Sequence, residues 1–347
     1  MVVGANGTTA RLRLGVVAGL PGVPLRTWVE LAREAEDAGI DFVAAGEGPS
    51  ENFALVGALA QATERVELIT TIAHWSRTPV TFAQGASTLA SLSNGRYRLG
   101  LGASPRDWST NWHGIPYERP TERLEDLIAA IRAAWATRAG SPGGHDGPVY
   151  RFSNYEHALS DWAPVPIYLG VTRPRSIALA GRVADGAVFN LMHSLEWLGS
   201  QGLPALEQGC HGAGREMSEL DVGVLAVGAV DEDRARAFDL ARPGIGFYFS
   251  VPYFAPLLKF HGFDEELKSG SAAWAARDMV AMNAAVSDRM VEAFALAGTR
   301  EDVRRKLSAY AELVDFVELM SPLGLGGEQT LEQARRITQT LVEVRPA

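Results

Sequence analysis

The sequence has little of what defines several large classes of protein. Cys210 is its only cysteine, which excludes a disulfide framework and every multi-cysteine zinc or iron–sulfur site. No apolar run approaches the ~20 residues of a membrane-spanning helix, and residues 1–13 lack the basic and apolar regions of a signal peptide. The net charge of −9 argues against nucleic acid or an anionic membrane as a partner. These absences predict a cytoplasmic enzyme with a small-molecule substrate.

Several catalytic motifs are also missing. No Gly-Lys-Ser or Gly-Lys-Thr occurs, so the sequence has no P-loop for a nucleoside triphosphate. There is no Gly-x-Ser-x-Gly elbow, and the seven histidines show no metal-ligand spacing. We therefore expect neither a serine hydrolase nor a metal site.

Apolar strand patterns alternate with helical ones along most of the chain. The first helix pattern starts at Thr27, where Thr27 and Glu30 form a capping box, and it ends at Gly39. Eight βα units in a row favour a closed barrel over an open doubly wound sheet. The predicted fold class is therefore α/β, a single (β/α)8 TIM barrel. Its eight strand patterns occupy residues 12–17, 42–45, 66–72, 96–102, 165–169, 187–191, 222–227 and 314–319.

Two stretches interrupt this alternation. Residues 139–163, after the fourth strand, are rich in Gly, Pro and aromatic residues and predict a surface hairpin. Residues 231–298, after the seventh strand, are far longer than one crossover needs and contain an aromatic cluster. Long insertions after barrel strands often build the substrate pocket. We predict one domain over residues 1–347, with these two insertions.

Barrel enzymes place their active sites at the carboxyl ends of the strands. Glu47 follows the second strand pattern, His74 follows the third, and Ser104 and Asp107 follow the fourth. Simpler roles exist for three of them: Glu47 could serve a turn, His74 could be a buried loop histidine, and Asp107 could cap a helix. We predict Glu47 and His74 as the catalytic candidates.

A predicted phosphate site joins the fifth strand to the next helix. Thr172 is its predicted N-cap, and Pro174 is tolerated in the first turn. Free backbone N–H groups, hydroxyls and the guanidiniums of Arg173 and Arg175 are groups that bind phosphate. The alternative is an ordinary helix start whose arginines face solvent.

The segment from Gly100 to Pro105 contains only the start of a dinucleotide fingerprint, because the third glycine is absent. As a Rossmann motif it is therefore weak. Its small residues at a strand end instead predict the close approach of a planar ligand to the backbone.

Several segments, taken in order, resemble the bacterial-luciferase-like superfamily of flavin- and F420-dependent oxidoreductases. Residues 241–248 and 259–263 are most similar to the branch of F420-dependent reductases related to methylenetetrahydromethanopterin reductase. The resemblance covers nearly the whole chain. Its segments are residues 77–79, 90–96, 99–104, 112–120, 165–170, 180–186 and 295–299.

The resemblance implies that the cofactor ring lies over a bulge in the third strand, held by a non-proline cis peptide near Thr70-Thr71. It also implies an acidic residue followed by histidine after the second strand. Here Glu47 keeps the acid, but Gly48 replaces the histidine, and His74 is the nearest substitute. The implied cofactor-binding residues are Thr70, Thr71, Ile72, Ala103, Ser104, Gly170, Val171, Thr172, Arg173, Arg175 and Ser176.

The function implied by the resemblance is F420-dependent hydride transfer with a small organic substrate, in which Glu47 or His74 forms hydrogen bonds or transfers a proton. One alternative is an FMN-dependent monooxygenase, which needs O2 and reduced flavin from a partner reductase. Another is a flavin- or F420-binding protein without catalysis. We also expect a homodimer. Aromatic residues predict the substrate pocket, although they could simply pack insertion helices onto the barrel: Trp108, Trp112, Phe247, Tyr248 and Tyr253.

Overall fold

The structure is a computed structural model that describes residues 11–48 and 50–346. These residues form two compact units. The terminal unit, as we call it, contains residues 11–42, 189–204 and 222–346. The central unit contains residues 43–48, 50–188 and 205–221. The single domain predicted over the whole chain stays a prediction.

The strands of the described residues lie close to the eight predicted positions, with four additions. Two of the additions, β6 and β7, form an antiparallel pair inside residues 139–163, so the predicted hairpin is confirmed. The other two, β4 and β11, are short strands that the sequence patterns missed. The strands are β1 (Arg13–Ala18), β2 (Phe42–Ala45), β3 (Glu67–Thr70), β4 (Ala73–His74), β5 (Tyr97–Gly102), β6 (Gly143–Asp146), β7 (Arg151–Tyr155), β8 (Ile167–Val171), β9 (Gly186–Phe189), β10 (Asp221–Val230), β11 (Ala295–Gly298) and β12 (Phe316–Met320).

Helices follow most of the strands. None of the helices in residues 11–48 and 50–346 is both long and apolar enough to cross a membrane. The helices are α1 (Leu25–Ala38), α2 (Asn52–Ala62), α3 (Pro79–Leu92), α4 (Pro120–Ala136), α5 (Pro174–Val183), α6 (Leu195–Trp197), α7 (Leu203–Gly212), α8 (Arg234–Gly246), α9 (Ala255–Phe260), α10 (Asp264–Ala275), α11 (Met279–Ala284), α12 (Asp288–Phe294), α13 (Arg300–Ala311) and α14 (Gly327–Glu343).

The strand order is that of a parallel α/β fold. In the terminal unit the order is β11-β10-β12-β1, and all three pairings are parallel. In the central unit the order is β2-β3-β5-β8-β9, with β4 beside β5 and with β5 parallel to both β3 and β8. The chain folds as a (β/α)8 barrel, as predicted.

Large aromatic side chains fill the space above glycines in the strands of the terminal unit. The ring of Phe42 lies where a Cβ of Gly15 would be, and the ring of Phe316 lies where a Cβ of Gly223 would be. The two rings meet edge to face, with centroids 5.4 Å apart, in the arrangement that aromatic pairs prefer. Glycine at these two strand positions is therefore required by packing.

The start of α1 differs from the prediction. The helix begins at Leu25 with Pro24 as its N-cap, so Thr27 lies inside the first turn and the predicted capping box is wrong. The fixed φ of proline suits a helix start, because no N–H group is needed there. The predicted end is confirmed, since Gly39 adopts a left-handed φ of 98° that glycine reaches without a steric penalty.

The stretch 231–298 contains five helices, α8 to α12, and ends with the strand β11. This strand has only four residues and follows α12 directly. It carries no turn residue in front of it and no period-2 pattern, which are the signals used to recognise a strand. Pairing with β10 along residues 227–230, rather than local sequence, makes it a strand.

Candidate active site

Glu47 lies at the carboxyl end of β2 and is bound on both carboxylate oxygens. Its Oε1 accepts a hydrogen bond from Arg77 Nη2 at 2.9 Å, and its Oε2 accepts one from Arg77 Nη1 at 3.1 Å. The backbone N–H of His74 also donates to Oε2, at 2.5 Å. Two parallel bonds from one guanidinium give a carboxylate a fixed orientation. The structure thus brings the two predicted catalytic candidates together.

Arg77 is the cation that organises this site. Its guanidinium also donates to the carboxylate of Glu51 and lies 4.8 Å from the ring centroid of Phe53. Burial lowers the pKa of Arg77, but the hydrogen bonds and charges of Glu47 and Glu51 together more than offset this effect, so the pKa is raised above its ordinary value. Arg77 therefore carries a permanent positive charge next to Glu47 and Glu51.

His74 is the last residue of β4 and is completely buried. Its Nε2 atom lies 2.9 Å from Ser109 Oγ, and the indole Nε1 of Trp75 donates to the same oxygen at 2.7 Å. Burial lowers the pKa of His74 to about 4, with a further contribution from His113 and nearby guanidiniums. The imidazole is therefore neutral at pH 7, because a buried ring is hard to charge.

A pocket of about 180 Å³ opens beside Glu47, within the central unit. Two of its walls are the indole rings of Trp108 and Trp112, which stack with centroids 4.4 Å apart and planes at 15°. Trp112 is 55% exposed, so one wall of the pocket is a flat apolar surface. The structure therefore brings two of the predicted substrate residues to a predicted catalytic one. The lining residues are Glu47, Gly48, Ser50, Glu51, Trp108, Trp112 and His113.

The other three predicted substrate residues lie in the terminal unit. Phe247 and Tyr253 are exposed, and Phe247 packs edge to face against Tyr248. Tyr248 packs in the same way against Phe254, with centroids 4.7 Å apart, and burial raises the pKa of its hydroxyl. These contacts agree with packing inside the insertion, which was the alternative. A substrate role for these aromatics stays a prediction.

The backbone between β3 and β4 contains a non-proline cis peptide, at Thr71–Ile72. It lies one bond beyond the position expected from the resemblance. The side chain of Ile72 fills the space next to two strand glycines: a Cβ at Gly102 would lie 2.1 Å from its Cδ1, and one at Gly170 would lie 2.6 Å from its Cγ2. The glycine at 102 thus makes room for the protein's own bulge, which corrects our interpretation that it admits a ligand.

Thr70 holds β3 against β5. Its side chain is completely buried, donates to the carbonyl of Gly100 at 3.1 Å and lies 3.1 Å from the hydroxyl of Tyr97. A Cβ at Gly100 would lie 1.9 Å from the carbonyl oxygen of Thr70, so this glycine too serves a close backbone approach. Val171 is also buried. The remaining predicted residues at these strand ends are partly exposed: Thr71, Ile72, Ala103, Ser104 and Gly170.

The predicted phosphate site forms the start of α5. The helix begins at Pro174 with Arg173 as its N-cap, so the prediction of Thr172 as N-cap is wrong. Proline fits the first helical position because its missing N–H is not needed there. The hydroxyl oxygen of Ser176 accepts hydrogen bonds from the backbone N–H groups of Thr172 and Arg173, each at 3.2 Å. Arg175 is exposed and Arg173 is half-buried, which places two cationic side chains at this helix start.

Sequence reasoning missed two residues of the site. Arg77 lies in residues 77–79, one of the segments that carry the resemblance, and its local sequence does not indicate its pairing with Glu47, 30 residues away. Ser109 gave no signal, because its partners lie 34 and 35 residues away in the sequence. Long-range pairing of this kind cannot be read from local patterns.

The described residues offer a limited set of polar groups for chemistry. Among them, no cluster of three or more His, Cys, Asp or Glu side chains is suited to a metal ion. The groups present are the ion pair of Glu47 with Arg77, the neutral imidazole of His74 and the cationic start of α5.

Comparison with known proteins identifies the family. A family model described as luciferase-like monooxygenase matches residues 7–315. A 5,10-methylenetetrahydromethanopterin reductase of Methanolobus tindarius is 28% identical over 322 residues, which cover 90% of this chain and 95% of that protein.

Solved structures show the same fold. The coenzyme F420-dependent tetrahydromethanopterin reductase of Methanopyrus kandleri matches with a TM-score of 0.83 and 21% identity, over 97% of this chain and 99% of that one. The oxygenating constituent of 3,6-diketocamphane monooxygenase of Pseudomonas putida, a type II Baeyer–Villiger enzyme in complex with FMN, matches with a TM-score of 0.68 and 19% identity, over 96% and 98%. The chain belongs to the luciferase-like monooxygenase family, whose members compared above are oxidoreductases.

Proposed function

We propose that the protein is an F420-dependent oxidoreductase that transfers a hydride between the deazaflavin and a small organic substrate. The observation that carries this proposal is that the sequence comparison and the fold comparison both find reductases of the same type. The relative at 28% identity and the structure at a TM-score of 0.83 are both reductases of the methanopterin type, and the latter is named as F420-dependent. The FMN-containing monooxygenase has the lower TM-score of 0.68.

The residues present suit such a cofactor. Thr71 and Ala103, at the ends of β3 and β5, are partly exposed and have small side chains, which suits a flat ring. The start of α5 suits a phosphate group, because Arg173 and Arg175 add two guanidiniums to a helix N-terminus. When bound there, F420 would supply a hydride at C5 of its ring.

The side chains of the pocket would position the substrate and keep water away. Glu47 is held on both oxygens by Arg77 and by the backbone of His74, so its role is to orient the ligand and not to give up a proton. Stacked Trp108 and Trp112 provide an apolar wall against which an organic substrate can pack. Holding the reacting atoms close and dry is what a protein contributes to hydride transfer.

A titration of the purified protein with F420 and with FMN, followed by cofactor fluorescence and absorbance, tests the proposal. We expect F420 to bind more tightly than FMN. Replacing both Arg173 and Arg175 by alanine should weaken F420 binding about tenfold or more, because charge-assisted hydrogen bonds are lost. Arg26→Ala is the control, since Arg26 is exposed on α1. Tight FMN binding without F420 binding would contradict the proposal.

A second candidate function is an FMN-dependent monooxygenase. It is favoured by the description of the matching family model and by the FMN-containing structure. Such an enzyme would take reduced flavin from a partner reductase and would consume O2. Oxygen uptake that depends on reduced FMN, with no effect of reduced F420, would establish this function. Cofactor binding without turnover in either assay would indicate a binding protein.

A further inference from the structure

The pocket beside Glu47 presents an exposed indole ring. Trp112 lines this pocket and is 55% exposed. Trp108 stacks on one face of Trp112, with ring centroids 4.4 Å apart, so the exposed part of Trp112 is its other face and its edge. A large aromatic surface beside a pocket is a place where a ligand can pack.

The charged groups that line the pocket are negative. Among the described residues, Glu47 and Glu51 supply the carboxylates of the lining. Arg77 pairs with both of them, so one positive charge faces two negative ones and the group keeps a negative charge in excess. A negative charge beside an aromatic face attracts a cation and repels an anion.

Both carboxylates also keep acceptor positions that the described protein groups do not use. A carboxylate has about four lone-pair positions for hydrogen bonds. Glu47 accepts three bonds, two from Arg77 and one from the backbone N–H of His74. Glu51 accepts bonds from Arg77 and from the backbone N–H of Ala54, and its side chain is 50% exposed. The carboxylates of the pocket can therefore accept further hydrogen bonds from a donor on a ligand.

Gly48 leaves space in the lining of this pocket. A Cβ added at Gly48 would meet no atom within 4 Å, and Gly48 is not among the glycines with a positive φ. Neither a close contact nor the backbone conformation therefore requires glycine at this position. Because residue 48 lines the pocket, the missing side chain leaves room that a ligand can occupy.

We propose that this pocket binds the positively charged part of the substrate, an organic ammonium group that lies against Trp112, beside Glu51, in the space left by Gly48. The apolar groups around the nitrogen pack on the indole, whose face attracts a cation, and Glu51 supplies the opposite charge. The substrate class is therefore an organic amine or a quaternary ammonium compound. That this cation belongs to the substrate of hydride transfer rests on the proposed function, whereas the preference of the pocket for a cation does not.

Three probes of matched shape test this preference in the cofactor-free protein: choline, its uncharged carbon isostere 3,3-dimethylbutan-1-ol, and the anion 3,3-dimethylbutanoate. Calorimetry at pH 8, where an ordinary imidazole is neutral, gives the affinities. The indole N–H signal of Trp112 in NMR spectra, assigned by its loss in Trp112→Leu, reports where the probe binds. We expect choline to bind about tenfold more tightly than the alcohol and to shift the Trp112 signal, and we expect the anion to bind most weakly.

The wild-type protein alone can overturn the proposal. Equal affinities for choline and the alcohol, tightest binding of the anion, or binding of none of the three would do so. Choline binding that leaves the Trp112 signal unmoved would also overturn it, because the cation would then lie elsewhere.

Glu51→Gln tests the opposite charge. The amide keeps an acceptor for the start of α2 but loses the charge, so choline binding should weaken about threefold or more, while binding of the alcohol should not change. Glu301→Gln is the matched control, because it removes the same charge from an exposed pair on α13. An unchanged affinity for choline in folded Glu51→Gln would overturn the assignment of Glu51.

Gly48→Leu tests the space in the pocket. The leucine side chain should fill this space and abolish binding of both choline and the alcohol. Gly212→Leu is the matched control, because Gly212 is exposed at the end of α7 and a Cβ there also meets no atom within 4 Å. Choline binding that persists in folded Gly48→Leu would overturn the placement of the cation.

The F420 titration separates this inference from the proposed function. F420 binding without a preference for choline over the alcohol would overturn this inference only. A preference for choline without F420 binding would count against the proposed function only.

Discussion

The ion pair of Glu47 with Arg77 shows what single residues contribute to the site. Position at a strand end was enough to select Glu47 and His74 from the sequence, because barrel geometry sends such residues to one face. Their partners Arg77 and Ser109 could not be selected in this way, since the pairing is set by the three-dimensional fold. The chemical role changes with the partner. Under the proposed function, Glu47 orients the ligand, because both of its carboxylate oxygens are already bound within the protein.

Arg77→Met tests how much this pair stabilises the protein. The side chains of Arg77 and Glu47 are only 15% and 10% exposed, so the substitution leaves a nearly buried carboxylate without its cation. We expect the free energy of unfolding in urea to fall by about 1–3 kcal/mol or more. Arg304→Met is the control, because Arg304 forms an exposed pair with Glu301 that should contribute at most about 1 kcal/mol. Equal losses of unfolding free energy in the two variants would show that burial of the Glu47–Arg77 pair does not increase its contribution to stability.

His74 should make stability depend on pH. Its pKa is about 4 in the folded protein against an ordinary value of 6.5, so between these values the unfolded chain binds more protons. Stability should therefore fall as the pH falls from about 6.5 to about 4, by roughly 2 kcal/mol between pH 7.5 and pH 5. Urea unfolding of His74→Gln should lack this part of the loss.

His211→Gln is the matched control for this prediction, because His211 is exposed near the end of α7. Its pH dependence should equal that of the wild-type protein. The same dependence in His74→Gln as in the wild type would show that His74 is not the group responsible.

Strands with a clear apolar pattern were predicted well from the sequence. Short strands and the exact starts of helices were not. The eight barrel strands were located because each has a run of apolar residues between turn signals. β4 was missed because two residues carry no period of their own, and β11 was missed because it follows α12 directly, with no turn residue in front of it. The starts of α1 and α5 were also misplaced. Each of these helices has a proline at its start, Pro24 as the N-cap of α1 or Pro174 as the first residue of α5, and not the threonine predicted there.

Gly223→Ala tests the packing of aromatic rings over strand glycines. An added Cβ would lie 2.1–2.4 Å from the ring atoms of Phe316, and that ring is held in an edge-to-face pair with Phe42. We expect the free energy of unfolding to fall by about 1–3 kcal/mol through overpacking. Gly212→Ala is the control, because a Cβ there would meet no atom within 4 Å, and it should be neutral or stabilise by up to about 1 kcal/mol. Similar changes in the free energy of unfolding for both variants would mean that the ring of Phe316 can move aside at no cost.

For the whole molecule, composition and net charge indicate the general class of protein, whereas the local sequence is needed to predict the phosphate site. A chain of 347 residues is long enough for about two domains. The regular alternation of strands and helices instead predicted one barrel, and the strand order agrees with the barrel. A net charge of −9 did not predict the cationic start of α5. Net charge describes the average surface, and a phosphate site needs only a few oriented donors.

A crystal structure of the protein with F420 tests the central claim most directly. The account predicts that the deazaflavin ring lies against Thr71 and Ile72 and that the phosphate group is bound by backbone N–H groups, Arg173 or Ser176 at the start of α5. The pocket lined by Glu47 and Trp112 should remain open to a substrate. A ring bound elsewhere, or crystals that take up FMN at this position and exclude F420, would contradict it.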